Sequence, residues 1–363
     1  MNGEVNSAVI PRLALAGLRG ASLERKKALK FDEIGEFGFI ESIKEECAAT
    51  YKNVIKGIGD DCAVLGPSSG RVLLFTTDML VEDIHFLKTK MTPYQLGWKS
   101  IAVNLSDIAA MGGRPLVLLI SLVIPPEMDV ELIQDFYKGM RTICEQYEVT
   151  IAGGDTSASP DKLVINISLI GDAKENEVLY RSGAKSGDSI YLTGNIGDSF
   201  AGLKILKKEI SSPKSIENHF IDIHNEPKPL IKTGMAVAAS KLATAMIDVS
   251  DGLASDLGHI CKESGVGAML FRGKIPLSSE LKLLASHEKF NPLEFAISGG
   301  EDYQLLITVP KENRKDLEIV GNNKGFLPLY LIGKIVEGKG ITMVNDDGSL
   351  EEIDAKGFNH FSH

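Results

Sequence analysis

The chain has 363 residues, 44% hydrophobic and 24% charged, with a formal net charge of -10 at neutral pH. At roughly 150 residues per domain the length suits two domains, and the composition is that of an ordinary soluble globular protein. The acidity argues against nucleic acid or anionic membrane as a partner, and no apolar run reaches the ~18 residues that span a bilayer.

Residues 1–30, MNGEVNSAVIPRLALAGLRGASLERKKALK, carry most of their Lys and Arg in the second half. They lack the early positive region and the longer apolar stretch of a secretory signal, and read as a flexible extension with a short helix from Ser22 to Lys30. Periodicity then predicts helices at Glu36–Thr50, Tyr94–Met111 and Val130–Tyr147. Strands are expected at Arg71–Thr76, Leu116–Ile124, Thr150–Ala152 and Leu163–Gly171. The apolar run PLVLLISLVIPP, from Pro115 to Pro126, reads as a buried strand.

The pattern restarts after SGAKSGDSIYLTG. Strands are expected at Ser189–Leu192, Ala245–Val249, Ala268–Phe271 and Gln304–Val309, and helices at Asp198–Lys208, Leu230–Lys241 and Leu253–Glu263. Strands and helices interleave in both halves, which predicts two α/β domains. Gly171, Gly183 and Gly187 punctuate a boundary near residues 172–186, dividing the chain into 31–171 and 172–363. NLSDIAAMG at 104–112 echoes DVSDGLASDLG at 248–258, each with a Ser-Asp pair at or beside an expected helix start. Four separated cysteines, Cys47, Cys62, Cys144 and Cys261, form no CxxC pair. A zinc or disulfide framework is not expected, and a reducing, cytoplasmic compartment is.

Six short segments place carboxylates beside Gly, Ser or Thr: GIGDDC, TTDMLVEDIHF, NLSDIAAMGG, IAGGDTS, IDVSDGLASD and SGGEDY. Singly, such residues serve as helix caps or turn residues. Together they raise a charge problem. Asp78, Asp155 and Asp248 follow apolar runs, as strand-end carboxylates at the ligand-binding edge of an α/β sheet would. Packed carboxylates must either be protonated or be neutralised by cations. Thr76, Thr77, Ser106 and Ser250 add oxygen donors, and an all-oxygen set selects Mg2+ or Ca2+. Distributed ligands without an EF-hand loop favour Mg2+, which lets an acidic pocket hold ATP through bridging metal. Neither GxxxxGK[ST] nor the helix-opening GxGxxG occurs, and kinase HRD and DFG, GxSxG and HExxH are also missing.

GIGDDCAVL, TTDMLVEDIHF, NLSDIAAMGG, IAGGDTS, YRSGAKSGD, LTGNIGDSFAGL, IDVSDGLASDLGHI, SGGEDYQLL and KGFNHF occur in the order of the thiamine-monophosphate kinase family. The resemblance covers about residues 31–361. DVSDGLASDLGHI and SGGEDYQL are its specific signatures, whereas GDD and GGDT are shared with the wider aminoimidazole-ribonucleotide-synthetase-like superfamily.

This resemblance implies a two-domain α/β (α+β) fold of that superfamily, with mixed sheets flanked by helices. It implies an N-terminal ATP/Mg-binding and dimerisation domain, a C-terminal domain completing the active site, and a homodimer through the N-terminal domains. The implied reaction is ATP plus thiamine phosphate giving thiamine diphosphate plus ADP, with several Mg2+ ions and no covalent nucleophile or dedicated base. Metal ligands fall on Asp61, Thr76, Thr77, Asp78, Asp107, Asp155, Asp248 and Asp251. ATP contacts fall on Tyr137, Gly154, Asp155, Arg181 and Ser250. Thiamine phosphate contacts fall on His85, Glu301 and Phe358. The alternatives are another ATP-using enzyme of the superfamily, or a non-catalytic nucleotide- or metal-binding member. A selenophosphate synthetase would show a reactive Cys near an N-terminal Gly-rich loop, a context Cys47 lacks.

Overall fold

A computed structural model describes Gly38, Ile40, Glu41, Ile43 and residues 53–66, 70–323 and 328–355. Its first sheet grows from one long pairing, β3 (Arg71–Val81) antiparallel to β6 (Val164–Lys174) through eleven residue pairs. Along β3, Val72, Leu74, Thr76 and Leu80 are buried, whereas Thr77 and Met79 are exposed. This period-two alternation marks a sheet with one covered face. β1 (Val54–Lys56), β2 (Ala63–Leu65), β4 (Arg114–Ile124) and β5 (Thr150–Ala158) complete the order β1-β2-β3-β6-β4-β5. β4 and β5 run parallel; the other neighbours are antiparallel.

Helix α1 (Pro93–Ala110) covers the buried face. Thr92 and Gln95 cap it reciprocally, and Pro93 opens it, so the sequence TPYQ fixes its start. Fourteen of its eighteen residues are buried, because it is enclosed on several sides. The sheet and α2 (Val130–Tyr147) pack on it from the first domain; α5 (Ile231–Ser240) and β8 (Ala245–Asp248) pack from the second. One apolar core therefore runs from Val72 and Leu74 through Ile101 and Leu105 to Met246, Leu305 and Ile307.

The second sheet has the order β13-β12-β9-β11-β7-β10-β8. Its strands are β7 (Ser189–Leu192), β8, β9 (Gly267–Phe271), β10 (Leu305–Val309), β11 (Tyr330–Val336), β12 (Ile341–Val344) and β13 (Leu350–Ile353). The remaining helices are α3 (Asp198–Leu206), α4 (Lys214–Asn225), α6 (Leu253–Ser264), α7 (Ser279–Glu288), α8 (Pro292–Ser298) and α9 (Arg314–Asn323). A second core, including Ile190, Ile247, Leu257 and Leu270, lies within this domain.

The two-domain α/β expectation is met, with mixed sheets flanked by helices. Val130–Tyr147 and Ser189–Leu192 have the expected bounds. Three readings require correction. β3 runs on to Val81 and β5 to Ala158, so Asp78 and Asp155 lie inside strands and only Asp248 ends one. β6 supplies a ladder partner all along β3, and that pairing outweighs the polar residues. The run in β4 is covered on one side only, with Leu119 48% exposed. Ser106 and Asp107 lie in the C-terminal part of α1, whereas Ser250 and Asp251 precede α6, so the internal echo has no common place at a helix start. The extension 1–30 lies outside the described residues, and the expected helix Glu36–Thr50 is described only at Gly38, Ile40, Glu41 and Ile43, all helical.

Candidate active site

A cleft of about 1100 Å³ opens where β3, the loop after it, α3 and the Ser250 and Glu301 loops meet. Its floor is acidic. Carboxylate oxygens of Asp61, Asp107 and Asp248 all lie within 4.8 Å of one another. They reach this point from the β1–β2 loop, from α1 and from the end of β8, so both domains contribute. Thr76 and Asp78 share the covered face of β3, and Thr76 donates to Asp107 Oδ2. Ser106 donates to Asp248 Oδ2 at 2.5 Å.

The charges in this cluster are frustrated. Burial, then repulsion from Asp78, Asp248 and Asp61, pushes the Asp107 carboxyl well above its ordinary range. Burial and Asp61 push Asp248 up to about 7, against the hydrogen bond from Ser106. Arg181 supplies one counter-charge: its Nη2 and Nε lie 2.5 and 3.1 Å from Asp61 Oδ1. Its backbone N–H also donates to Asp60, whose other oxygen pairs with Lys56 at 3.3 Å. Asp61 Oδ2 is buried and has no hydrogen-bond partner among the described residues. An orphaned carboxylate oxygen beside two further carboxylates suits a hard divalent cation, since all donors are oxygen.

The Ser250–Asp251–Gly252 turn forms the adjoining wall. Its three backbone N–H groups all donate to Asp256 Oδ2, at 3.1, 3.2 and 3.1 Å. Asp256 thus shapes the turn, a role that the ASD of LASD shows only once the chain is folded. Asp251, Asp256 and His259 form a second group with ligand atoms within 4.8 Å of one another. Burial, Arg181 and Lys262 hold His259 down at about 4, so its ring is neutral near pH 7.

His85, also in the cleft lining, follows β3 in a tight turn. Val81 N–H donates to its Nδ1 at 3.0 Å, which leaves the neutral ring's proton on Nε2. Glu301 has a left-handed backbone, φ 64°, and its N–H donates to Ser250 O at 2.7 Å. A Cβ at Gly300 would meet that same Ser250 oxygen at 2.2 Å, so SGGED needs its second glycine for this close approach. Glu301 pairs with Lys99 Nζ at 2.9 Å and lies 3.3 Å from His224 Nδ1. Neither Lys99 nor His224 was identifiable from a motif. Asp302 is a structural cap: its carboxylate accepts from Gly197 and Ser199 N–H at the start of α3.

Asp61, Thr76, Thr77, Asp78, His85, Asp107, Arg181, Ser250, Asp251 and Glu301 line the cleft, and Asp248 lies in the carboxylate group beneath. The Thr77 hydroxyl bonds on the opposite side of the sheet, to Ile167 O at 3.0 Å and Ser168 Oγ at 3.1 Å. Tyr137, Gly154 and Asp155 do not line this cleft. Tyr137 sits on α2 edge-on to Phe136, and Gly154 and Asp155 lie exposed on β5, the edge strand. Phe358 and Cys47 lie outside the described residues.

The chain is similar to known proteins along most of its length. Residues 59–173 match the family described as AIR synthase related protein, N-terminal domain, and residues 185–345 its C-terminal domain. The thiamine-monophosphate kinase of Aquifex aeolicus (strain VF5) is 38% identical over 333 residues, covering 92% of this chain and 100% of its own. That of Escherichia coli (strain K12) is 38% identical over 330 residues, covering 90% and 98%. The solved structure of AaThiL complexed with AMPPCP and TMP superposes with a TM-score of 0.81 at 37% identity, over 92% of this chain and 100% of that one. On full-length identity at this level, the chain belongs to the thiamine-monophosphate kinase family.

Proposed function

We propose that this protein transfers the γ-phosphoryl group of ATP to thiamine phosphate, giving thiamine diphosphate and ADP. The observation that carries this reading is the convergence of Asp61, Asp107 and Asp248, from both domains, on the floor of a cleft that also holds His85 and Glu301. The acceptor phosphate oxygen bonds to the γ-phosphorus as the bond to the ADP oxygen breaks. That oxygen is already anionic near neutral pH, so the reaction asks mainly for positioning and charge neutralisation.

Mg2+ is the proposed metal; Asp61, Thr76, Asp78, Asp107, Asp248 and Asp251 would hold it, and Thr77, whose hydroxyl lies on the exposed face of the sheet, and Asp155 would add oxygens in a homodimer. These carboxylates would hold the ion, which would supply neutralisation of phosphate charge. Arg181, paired with Asp61, and Ser250 would contact ATP. His85 donates Nε2–H to the acceptor phosphate, and Glu301 faces the cationic base of thiamine phosphate. Phe358 stacks on that base.

A homodimer through the first sheet supplies the remaining contacts. Its outer face exposes Met79 (56%) and Leu119 (48%) beside the open edge β5, a surface that a second copy would cover. In such a dimer Tyr137, Gly154 and Asp155 would contribute to ATP and metal binding. We accordingly assign ATP binding and dimerisation to residues 31–171 and completion of the site to 172–363. A cytoplasmic setting is proposed from the free thiols Cys62, Cys144 and Cys261.

Chromatographic product analysis with ATP, Mg2+ and thiamine phosphate tests the reading. Thiamine diphosphate and ADP should form in equal amounts. ADP release that does not depend on thiamine phosphate, or no product with folded protein, would refute it.

A further inference from the structure

Lys99 is fully buried, with 0% exposure, in the middle of α1. A buried ammonium is costly unless paired. Its partner is Glu301 Oε1 at 2.9 Å, across the domain boundary. His224, near the end of α4 and 3% exposed, lies on the same group: its Nε2 is 3.4 Å from Lys99 Nζ and its Nδ1 is 3.3 Å from Glu301 Oε2. Burial and Lys99 hold the imidazole down at about 3, so it is neutral. A neutral ring accepting from the ammonium at Nε2 carries its proton on Nδ1, toward Ser199 Oγ at 3.1 Å and Glu301.

Both Glu301 oxygens therefore have a buried partner, while the side chain keeps 28% exposure at the cleft. Burial alone would raise its carboxyl, but the charge and hydrogen bond of Lys99 outweigh it and hold it below its ordinary range. The left-handed backbone at Glu301, followed by another at Tyr303 (φ 49°), requires such support from its surroundings.

We propose that Lys99 and His224 are positioning residues that clamp the Glu301 carboxylate, ionised and fixed in orientation, at the acceptor end of the cleft. The inference rests on the acceptor role given to Glu301 above. Lys99 lies behind the cleft wall and acts through Glu301; His224 reaches the cleft lining and acts through the same carboxylate. A domain-tying role alone would affect stability and both substrates alike; a clamp acts on the acceptor.

The test is steady-state kinetics on the full chain with melting temperatures alongside. Glu301→Gln and Lys99→Met should each raise the thiamine phosphate KM about tenfold, with the ATP KM changed less than about twofold. Lys99→Met/Glu301→Gln should match Glu301→Gln alone, because the two residues act as one unit. His224→Leu should raise the acceptor KM, and His224→Asn, which keeps a nitrogen donor near Nδ1, should restore much of it.

Folded Lys99→Met with an unchanged acceptor KM overturns the clamp, as do equal changes in both KM values. If Lys99→Met does not fold, the charge-balanced double variant decides: an acceptor KM more than about threefold above that of Glu301→Gln overturns the clamp. An unchanged acceptor KM in Glu301→Gln itself instead overturns the acceptor role of Glu301, and the clamp with it.

Discussion

Ser106 Oγ donates to Asp248 Oδ2 at 2.5 Å, joining α1 of the first domain to the end of β8 in the second. The bond favours the ionised form of a buried carboxylate that burial and Asp61 drive toward neutrality. Ser106→Ala should cost about 1–3 kcal/mol in denaturant unfolding, because a buried acceptor loses its donor. The Asp248 carboxyl should rise further, moving the onset of Mg2+ binding to higher pH. An unchanged stability and an unchanged Mg2+ titration would show that the bond has no such role.

Asp78 repels Asp107 in the ligand-free protein. Asp78→Asn relieves this while removing a proposed metal ligand. Turnover should be abolished, and the melting temperature without metal should be unchanged or higher. A large loss of metal-free stability would identify Asp78 as a structural residue instead.

Proton and metal should compete for the same oxygens. Asp248 titrates at about 7 in the folded protein and Asp107 well above its ordinary range. In the unfolded chain both release their protons near pH ~4. Their stabilising contribution is thus full below the unfolded value and lost as pH rises through the folded one. The proposed Mg2+ would replace the protons, so its melting-temperature increment should be larger at about pH 8 than at about pH 5.5. Scanning calorimetry with and without Mg2+ reads this directly; equal increments would place the bound metal elsewhere.

The route of the phosphoryl group gives a fourth prediction. His85 Nδ1 already accepts from Val81 N–H, and the acceptor phosphate brings its own anionic oxygen. Direct transfer therefore requires no phosphohistidine. ATP made chiral at its γ-phosphorus should give inverted thiamine diphosphate. Retention, or a phosphorylated enzyme formed from ATP alone, would contradict direct transfer.

Much of the acidic floor was legible in the chain, because Asp61, Asp78, Asp107 and Asp248 stand in short motifs beside Gly, Ser or Thr. The position of Asp78 inside a strand was less so, since polar residues in β3 resemble a strand end until β6 is paired to it. Lys99 and His224 carry no local signal: they are 125 residues apart, and their chemistry arises only when the domains close on Glu301. Helix α4 also escaped the periodicity reading; its buried residues, Ile216, Phe220, His224 and Asn225, include two polar ones. Strands β11 and β12 pair with β7 and β9, which are distant in sequence, and pattern alone does not reveal those neighbours.

The most direct measurement of the central claim compares initial rates for thiamine phosphate and unphosphorylated thiamine under identical ATP and Mg2+. A cleft built to bring two phosphates together on one carboxylate floor predicts turnover of thiamine phosphate to thiamine diphosphate and none of thiamine. Phosphorylation of thiamine at a comparable kcat/KM, or no turnover of thiamine phosphate, would contradict the account.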